Sequence, residues 1–140
     1  MEARLYEKRE EQKVLCNLCN QRCLIKNGRR GLCNVRENEN GVLKTLVYDR
    51  IIARHVDPVE KKPLFHFYPG TQTFSIGTMG CNMSCAFCQN HTLSQTPKQT
   101  GQVSGEKFSG PAIAEAAVQA PAGSISYTYS EPTIFTELVL

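Results

Sequence analysis

Apolar residues along this 140-residue chain come in short runs separated by turn-forming residues, and the period of the runs changes along its length. The first fifteen residues are dense in charge, with Leu5, Arg9 and Gln12 on one helical face, so the spacing predicts a short solvated helix over 3–15 with little to bury. Asn40-Gly41, between Val35 and Val42-Leu43, is a hairpin signal, because both residues of that pair tolerate the positive φ of a tight two-residue turn. Residues 43–48 and 51–56 alternate or run apolar and read as short strands. Asp57-Pro58-Val59-Glu60-Lys61-Lys62-Pro63 reads as a semi-extended connector, since each proline steers its predecessor away from the helical region.

From Thr71 the pattern changes. Thr73–Thr78 reads as a strand, and the polar, glycine-containing stretch 95–110 as a loop. Pro111–Ala120 reads as a helix, with Ile113, Ala114, Ala117 and Val118 on its apolar face, Pro111 in its first turn and Ser109 or Gly110 as cap. Ser124–Tyr129 alternates as a second strand, Ser130-Glu131-Pro132 turns, and Thr133–Leu140 begins another helix. That order is the one expected of a parallel α/β sheet. The expectation is therefore an α/β chain: a small cysteine-rich β module over 1–68, then the opening βα units over 69–140. Two parallel strands cannot cover the faces of such helices, because parallel sheets are buried on both sides. The sequence is thus expected to be the front part of a longer protein, or one piece of a split one.

Charge narrows the function classes. The net charge of +3 is spread out, with Arg29-Arg30 and Lys61-Lys62 as isolated pairs, so there is no concentrated patch for nucleic acid. No apolar run approaches the ~20 residues of a membrane span, and the charged start lacks the apolar core of a secretory leader. A cytoplasmic protein is expected. Its seven cysteines form an odd set, grouped as four and three, which suits metal ligation in a reducing compartment better than disulfides.

The group of three carries the chemistry. Cys81-Asn82-Met83-Ser84-Cys85-Ala86-Phe87-Cys88 follows directly on the 73–78 strand. Three thiolates in one loop can hold three corners of a cubane iron–sulfur cluster, whereas full closure takes four. The remaining iron is then an open site, which is where chemistry happens. Zinc is the alternative, with His91 as a fourth ligand. Asn82, Ser84, Gln89 and Asn90 make the segment a polar turn rather than a buried face of unligated cysteines.

The C-x3-C-x-aromatic-C pattern of Cys81, Cys85, Phe87 and Cys88 resembles the signature of the radical S-adenosylmethionine (radical SAM) superfamily. A longer resemblance, to the radical SAM enzymes of the AmmeMemoRadiSam system in the pyruvate formate-lyase activating enzyme-like group, covers nearly the whole chain. It runs through Cys16-x2-Cys19-x3-Cys23, Gly28, Gly31 and Cys33-Asn34-Val35-Arg36-Glu37-Asn38. It continues through 55–64 (His-Val-Asp-Pro-Val-Glu-Lys-Lys-Pro-Leu), Ser75-Ile76-Gly77-Thr78 and Cys88-Gln89-Asn90. The resemblance implies that 69–140 opens a partial (βα) radical SAM barrel, left incomplete here because family members are more than twice this length.

It also implies an activity. A 4Fe-4S cluster on Cys81, Cys85 and Cys88 would bind S-adenosylmethionine at its open iron and cleave it reductively to a 5′-deoxyadenosyl radical. That radical takes hydrogen from an unknown substrate, for which the activase resemblance suggests a protein glycine, and a flavodoxin- or ferredoxin-like donor supplies the electron. Phe87 would sit by the adenine, with a core anchor as its alternative. Ser130 and Glu131 stand in the place of the family's Gly-Gly-Glu-Pro element, which meets the cofactor's amino group; Tyr129 and Ser130 replace the glycines. A helix-start carboxylate is the alternative role for Glu131.

Cys16, Cys19, Cys23 and Cys33 have the count for a closed tetrahedral site, for zinc or a second 4Fe-4S cluster, with no metal as the remaining alternative. A unit under ~70 residues gains little from its core alone, which favours a structural metal. His55 and His66 read as hydrogen-bonded structural residues, His91 as a neighbour of the cysteine loop, and Lys61-Lys62 as a solvated face. The competing function is a non-catalytic iron–sulfur or zinc module for electron transfer.

Overall fold

The computed structural model describes all of residues 1–140. The charged start does not form the expected helix. Strands β1 (Tyr6–Lys8), β2 (Val14–Cys16) and β3 (Leu24–Ile25) make an antiparallel sheet. Glu11 and Gln12 turn the chain at φ of 55° and 57°. Val14 and Cys16 alternate inward onto Ala3, Ile25 and Leu43, and that burial outweighs the weak helical preference of the exposed residues before them.

The Asn40-Gly41 turn forms as expected, at φ of 53° and 82°, and joins β4 (Arg36–Glu39) to β5 (Val42–Thr45). A two-residue strand β6 (Arg50–Ile51) precedes β7 (Ala53–Pro58). A 3₁₀ turn over Val59–Lys61 then leads through a loop to β8 (Gln72–Gly77). So the segment read as a connector is part strand and part 3₁₀ turn.

After the cysteine loop comes α1 (His91–Thr100), where the sequence pattern predicts a loop from 95. This helix contains Pro97, which cannot bond the carbonyl of Leu93. The amide of Gly80 takes that carbonyl instead, at 3.0 Å. Buried Ser94, Gln95 and Pro97 hold the helix by tertiary contact, and Gly101 ends it at φ 74°. Strand β9 (Glu106–Lys107) pairs with β6. Helix α2 (Gly110–Gln119) follows, capped by the Ser109 hydroxyl accepting from the Ala112 amide. Strand β10 (Ser124–Tyr127), a 3₁₀ turn over Pro132–Phe135 and the short helix α3 (Thr136–Val139) complete the chain.

The expected partial (βα) barrel is not formed. Four small sheets of two or three strands are present, and the one bearing the site has the order β10-β8-β7. Strand β10 runs parallel to β8, as the β–α–β order requires, but β7 pairs antiparallel along the other edge of β8 over 53–58. Both edges of β8 are thereby used. The molecule is a sheet-rich domain with one parallel pair rather than a barrel.

Its main core is shared across the chain. Phe74 and Ile76 of β8 pack with Ile113 of α2, with Ile134 and Phe135, and with Val35 and Val47 from the first seventy residues. No helix is long and apolar enough to cross a membrane.

Candidate functional site

Two glycines set the cysteine loop. Gly77 closes β8 beside the end of β10: a Cβ there would lie 2.6 Å from the Thr128 carbonyl oxygen and 3.1 Å from the Tyr129 Cβ. At Gly80, φ is +89° and a Cβ would lie 2.5 Å from Val35 Cγ1 and 3.0 Å from the Cys33 carbonyl oxygen. Cys81 is thus fixed between α1 and the Cys33–Val35 segment, and its side chain is buried.

Helix α1 clamps the rest of the loop. Gln95 Nε2 and Lys98 Nζ donate to the Met83 carbonyl at 3.1 and 2.5 Å, and Lys98 also reaches Ser84 Oγ at 2.9 Å. The Met83 amide donates to Cys81 Sγ at 3.4 Å, and Cys88 Sγ lies 3.4 Å from Ser94 Oγ. Cys85 and Cys88 are half-buried. Phe87 is 87 % exposed, which removes a core anchor as its role.

The ends of the parallel strands are tied together. Ser130 is buried, and its Oγ donates to the Thr78 carbonyl at 2.9 Å. Glu131 Oε1 accepts from the Thr133 amide at 3.3 Å and hydroxyl at 2.5 Å, so its carboxylate caps the 3₁₀ turn. The cysteine loop and residues 128–131 therefore share the carboxyl end of a parallel pair, where α/β sheets bind ligands.

The other four cysteines lie on the neighbouring sheet and its loops. Arg36 Nη1 donates to Cys16 Sγ, and the Leu32 amide to Cys23 Sγ, both at 3.5 Å. Burial pushes the Cys33 thiol above its ordinary pKa, outweighing the Val35 backbone hydrogen bond and the Arg36 guanidinium, which pull it down. Gln21 Nε2 reaches the Asn82 carbonyl at 3.4 Å, joining the two cysteine-bearing loops.

In donor type, both groups fit a thiolate-ligated metal or cluster: all seven thiols are free, and N–H groups point at three of them. In placement, no three His, Cys, Asp or Glu side chains converge on one point. The backbone from Cys81 to Asn90 is neither helix nor strand, so gathering its thiols requires side-chain rotation and loop adjustment, not the breaking of a regular element.

His91 opens α1, His66 is exposed, and His55 meets the Tyr129 ring edge-on at 5.9 Å.

The connector residues form a cluster that sequence reasoning missed. The carboxylate of Asp57 is buried and accepts from Lys61 Nζ, Lys62 Nζ and Tyr129 Oη, each at 2.7 Å. Burial alone would raise its pKa, but the two ammonium groups and the phenol outweigh that and hold it well below the usual carboxylate range. Burial and the Asp57 carboxylate push Tyr129 up to about 12. Lys62 Nζ also sits 4.8 Å from the centre of the Tyr129 ring. Lys61, Lys62 and Tyr129 line an open cleft of about 540 Å³, whose other walls are Pro63-Leu64, residues 126–128 at the end of β10, and Gln89-Asn90, just beyond Cys88. The spacing of Asp57, Lys61 and Lys62 was visible in sequence, but Tyr129 joins them from 72 residues away.

Fold and site together define a sheet-rich domain with a three-cysteine loop at the mouth of a parallel strand pair and a cationic cleft beside it. No family model matches the chain, and no solved structure does. It is 45% identical over 138 residues to the uncharacterized protein MJ0808 of Methanocaldococcus jannaschii, a match covering 99% of this chain and 41% of that relative. The chain thus spans about two fifths of the length of the curated relative it matches.

Proposed function

We propose that Cys81, Cys85 and Cys88 ligate a 4Fe-4S cluster with one open iron, and that the chain is part of a radical SAM enzyme. The observation that carries this reading is the position of the three free cysteines, in a clamped loop at the carboxyl end of β8, beside a ligand-sized cleft. When bound, the cluster would supply the electron that splits S-adenosylmethionine to a 5′-deoxyadenosyl radical. A flavodoxin- or ferredoxin-like donor and an unknown substrate, a protein glycine among the options, belong to the same reading, as does a cytoplasmic location where thiols stay reduced.

The chain's own residues bind and orient. Gly80 sets the entry of the loop, and the Met83 amide donates to Cys81 Sγ. Lys98 and Gln95 hold the turn between Cys81 and Cys85. Exposed Phe87 is free to lie against an adenine ring. Ser130 keeps the β8 and β10 ends together, and Glu131, whose Oε1 caps the 3₁₀ turn, keeps its second carboxylate oxygen for an amino group. Cys16, Cys19, Cys23 and Cys33 would hold zinc or a second cluster that braces the N-terminal sheet.

Anaerobic reconstitution with iron and sulfide tests the reading. We expect four irons' worth of cluster to be lost when Cys81, Cys85 or Cys88 becomes alanine, whatever the four N-terminal cysteines hold, and to be retained with Phe87→Ala. Wild-type iron and sulfide content in the Cys81/Cys85/Cys88 triple-alanine variant would end the proposal. A cluster whose electron-spin signal ignores S-adenosylmethionine would favour an electron-transfer module.

A further inference from the structure

The cleft beside the cysteine loop has a wall of charge that the cluster does not use. Its lining contains Lys61 and Lys62 and no acidic side chain; Asp57 lies behind them. Two ammonium groups against one carboxylate leave one surplus positive charge facing the cleft. Lys62 is only 11% exposed, fixed by Asp57 and the Tyr129 ring, so its ammonium is pre-positioned and largely desolvated. Lys61 is 58% exposed and has donors left after its bond to Asp57. Gln89, Asn90 and Thr128 add neutral polar groups around the same space, and its volume of about 540 Å³ is that of a small-molecule site.

We propose that this cleft binds a ligand bearing a single carboxylate, held by Lys61 and Lys62, with its polar body against Gln89, Asn90 and Thr128. One surplus positive charge matches a carboxylate, whereas a phosphate dianion would bring a second, uncompensated negative charge into a partly desolvated site. Such a ligand would lie beside Cys88, so the inference extends the cluster reading by naming a substrate class. Carboxylate binding itself does not require the cluster. The carboxylate can come from a small acid or chain terminus, or from an acidic side chain.

The test is an NMR titration of the purified chain at constant ionic strength. The probes are N-acetylglycine, its neutral amide, a blocked glutamyl peptide and inorganic phosphate. Saturable shifts at Lys62, Gln89, Asn90 and Thr128 are expected with N-acetylglycine for a small acid or terminus, or with the glutamyl peptide for a side chain, and none with the amide. K62M should weaken binding about tenfold and K61M a few-fold, while K26M should leave it unchanged. If K62M fails to fold, K61M decides, because Lys61 is half-exposed.

Absence of saturable shifts with both acids, equal shifts with the neutral amide, tighter binding of phosphate, or wild-type binding by folded K61M would each overturn the site. A chain that binds the acid but takes up no iron keeps this site and loses the cluster reading. The reverse outcome loses only this site.

Discussion

Asp57 organises its surroundings with one carboxylate. It takes two lysines and a tyrosine while nearly withdrawn from water, and hydrogen bonds to a charged group are the stronger kind. D57N should cost about 1–3 kcal/mol at pH 7 by urea denaturation, since it weakens bonds of that strength. The folded carboxyl is held below its usual pKa of about 3.9, so its contribution is present above that value and is lost as pH falls through the depressed one. The gap between wild type and D57N should therefore narrow in melts taken progressively below about pH 4. A gap that stays constant down to pH 2 would show that the carboxylate's charge is not what stabilises. At the same scale, the cysteine spacing was readable from sequence because all three donors lie within eight residues. The Asp57–Tyr129 contact was not, because it closes only when β7, β8 and β10 align.

At the scale of elements, local chemistry explains what sequence revealed and what it did not. The Asn40-Gly41 hairpin and the Ser109-capped α2 follow from turn and capping preferences carried by a few adjacent residues. Helix α1 offered no such signal, with Pro97 in its body and polar residues throughout. It forms because Gly80 satisfies the Leu93 carbonyl and because Ser94 and Gln95 are buried. The β–α–β order correctly implied a parallel pair. It could not reveal that β7 would take the other edge of β8 in the opposite direction, since strand pairing between distant segments is set by tertiary packing. Gly80 links α1 to the cysteine loop, and G80A should test that link. Its φ of +89° and the 2.5 Å approach to Val35 predict a loss of about 1–3 kcal/mol in thermal or urea melts, together with reduced iron uptake. Unchanged stability and uptake would mean that the glycine does not set the loop.

Across the whole molecule, one buried ion pair ties the two ends of the chain. Arg36 of β4 and Glu137 of α3 are paired at 1% and 0% side-chain exposure. Arg36 also donates to the Arg4 carbonyl at 2.9 Å, and Glu137 accepts from the Arg4 amide at 2.7 Å. Removing one partner strands the other's charge. E137A should therefore destabilise by about 3–5 kcal/mol, and the apolar double variant R36M/E137L should recover most of it. Equal losses in the single and double variants would assign the effect to packing. The same arginine donates to Cys16 Sγ, so the pair also connects the C-terminal helix to the four-cysteine group.

The central claim is an iron with no protein thiolate, on the loop at the end of β8. Mössbauer spectra of the chain reconstituted anaerobically with ⁵⁷Fe, with and without S-adenosylmethionine, test it most directly. One iron site should stand apart from the thiolate-ligated irons, with parameters that change when S-adenosylmethionine is added. Iron found only in thiolate-type environments, unaltered by the addition, would contradict it.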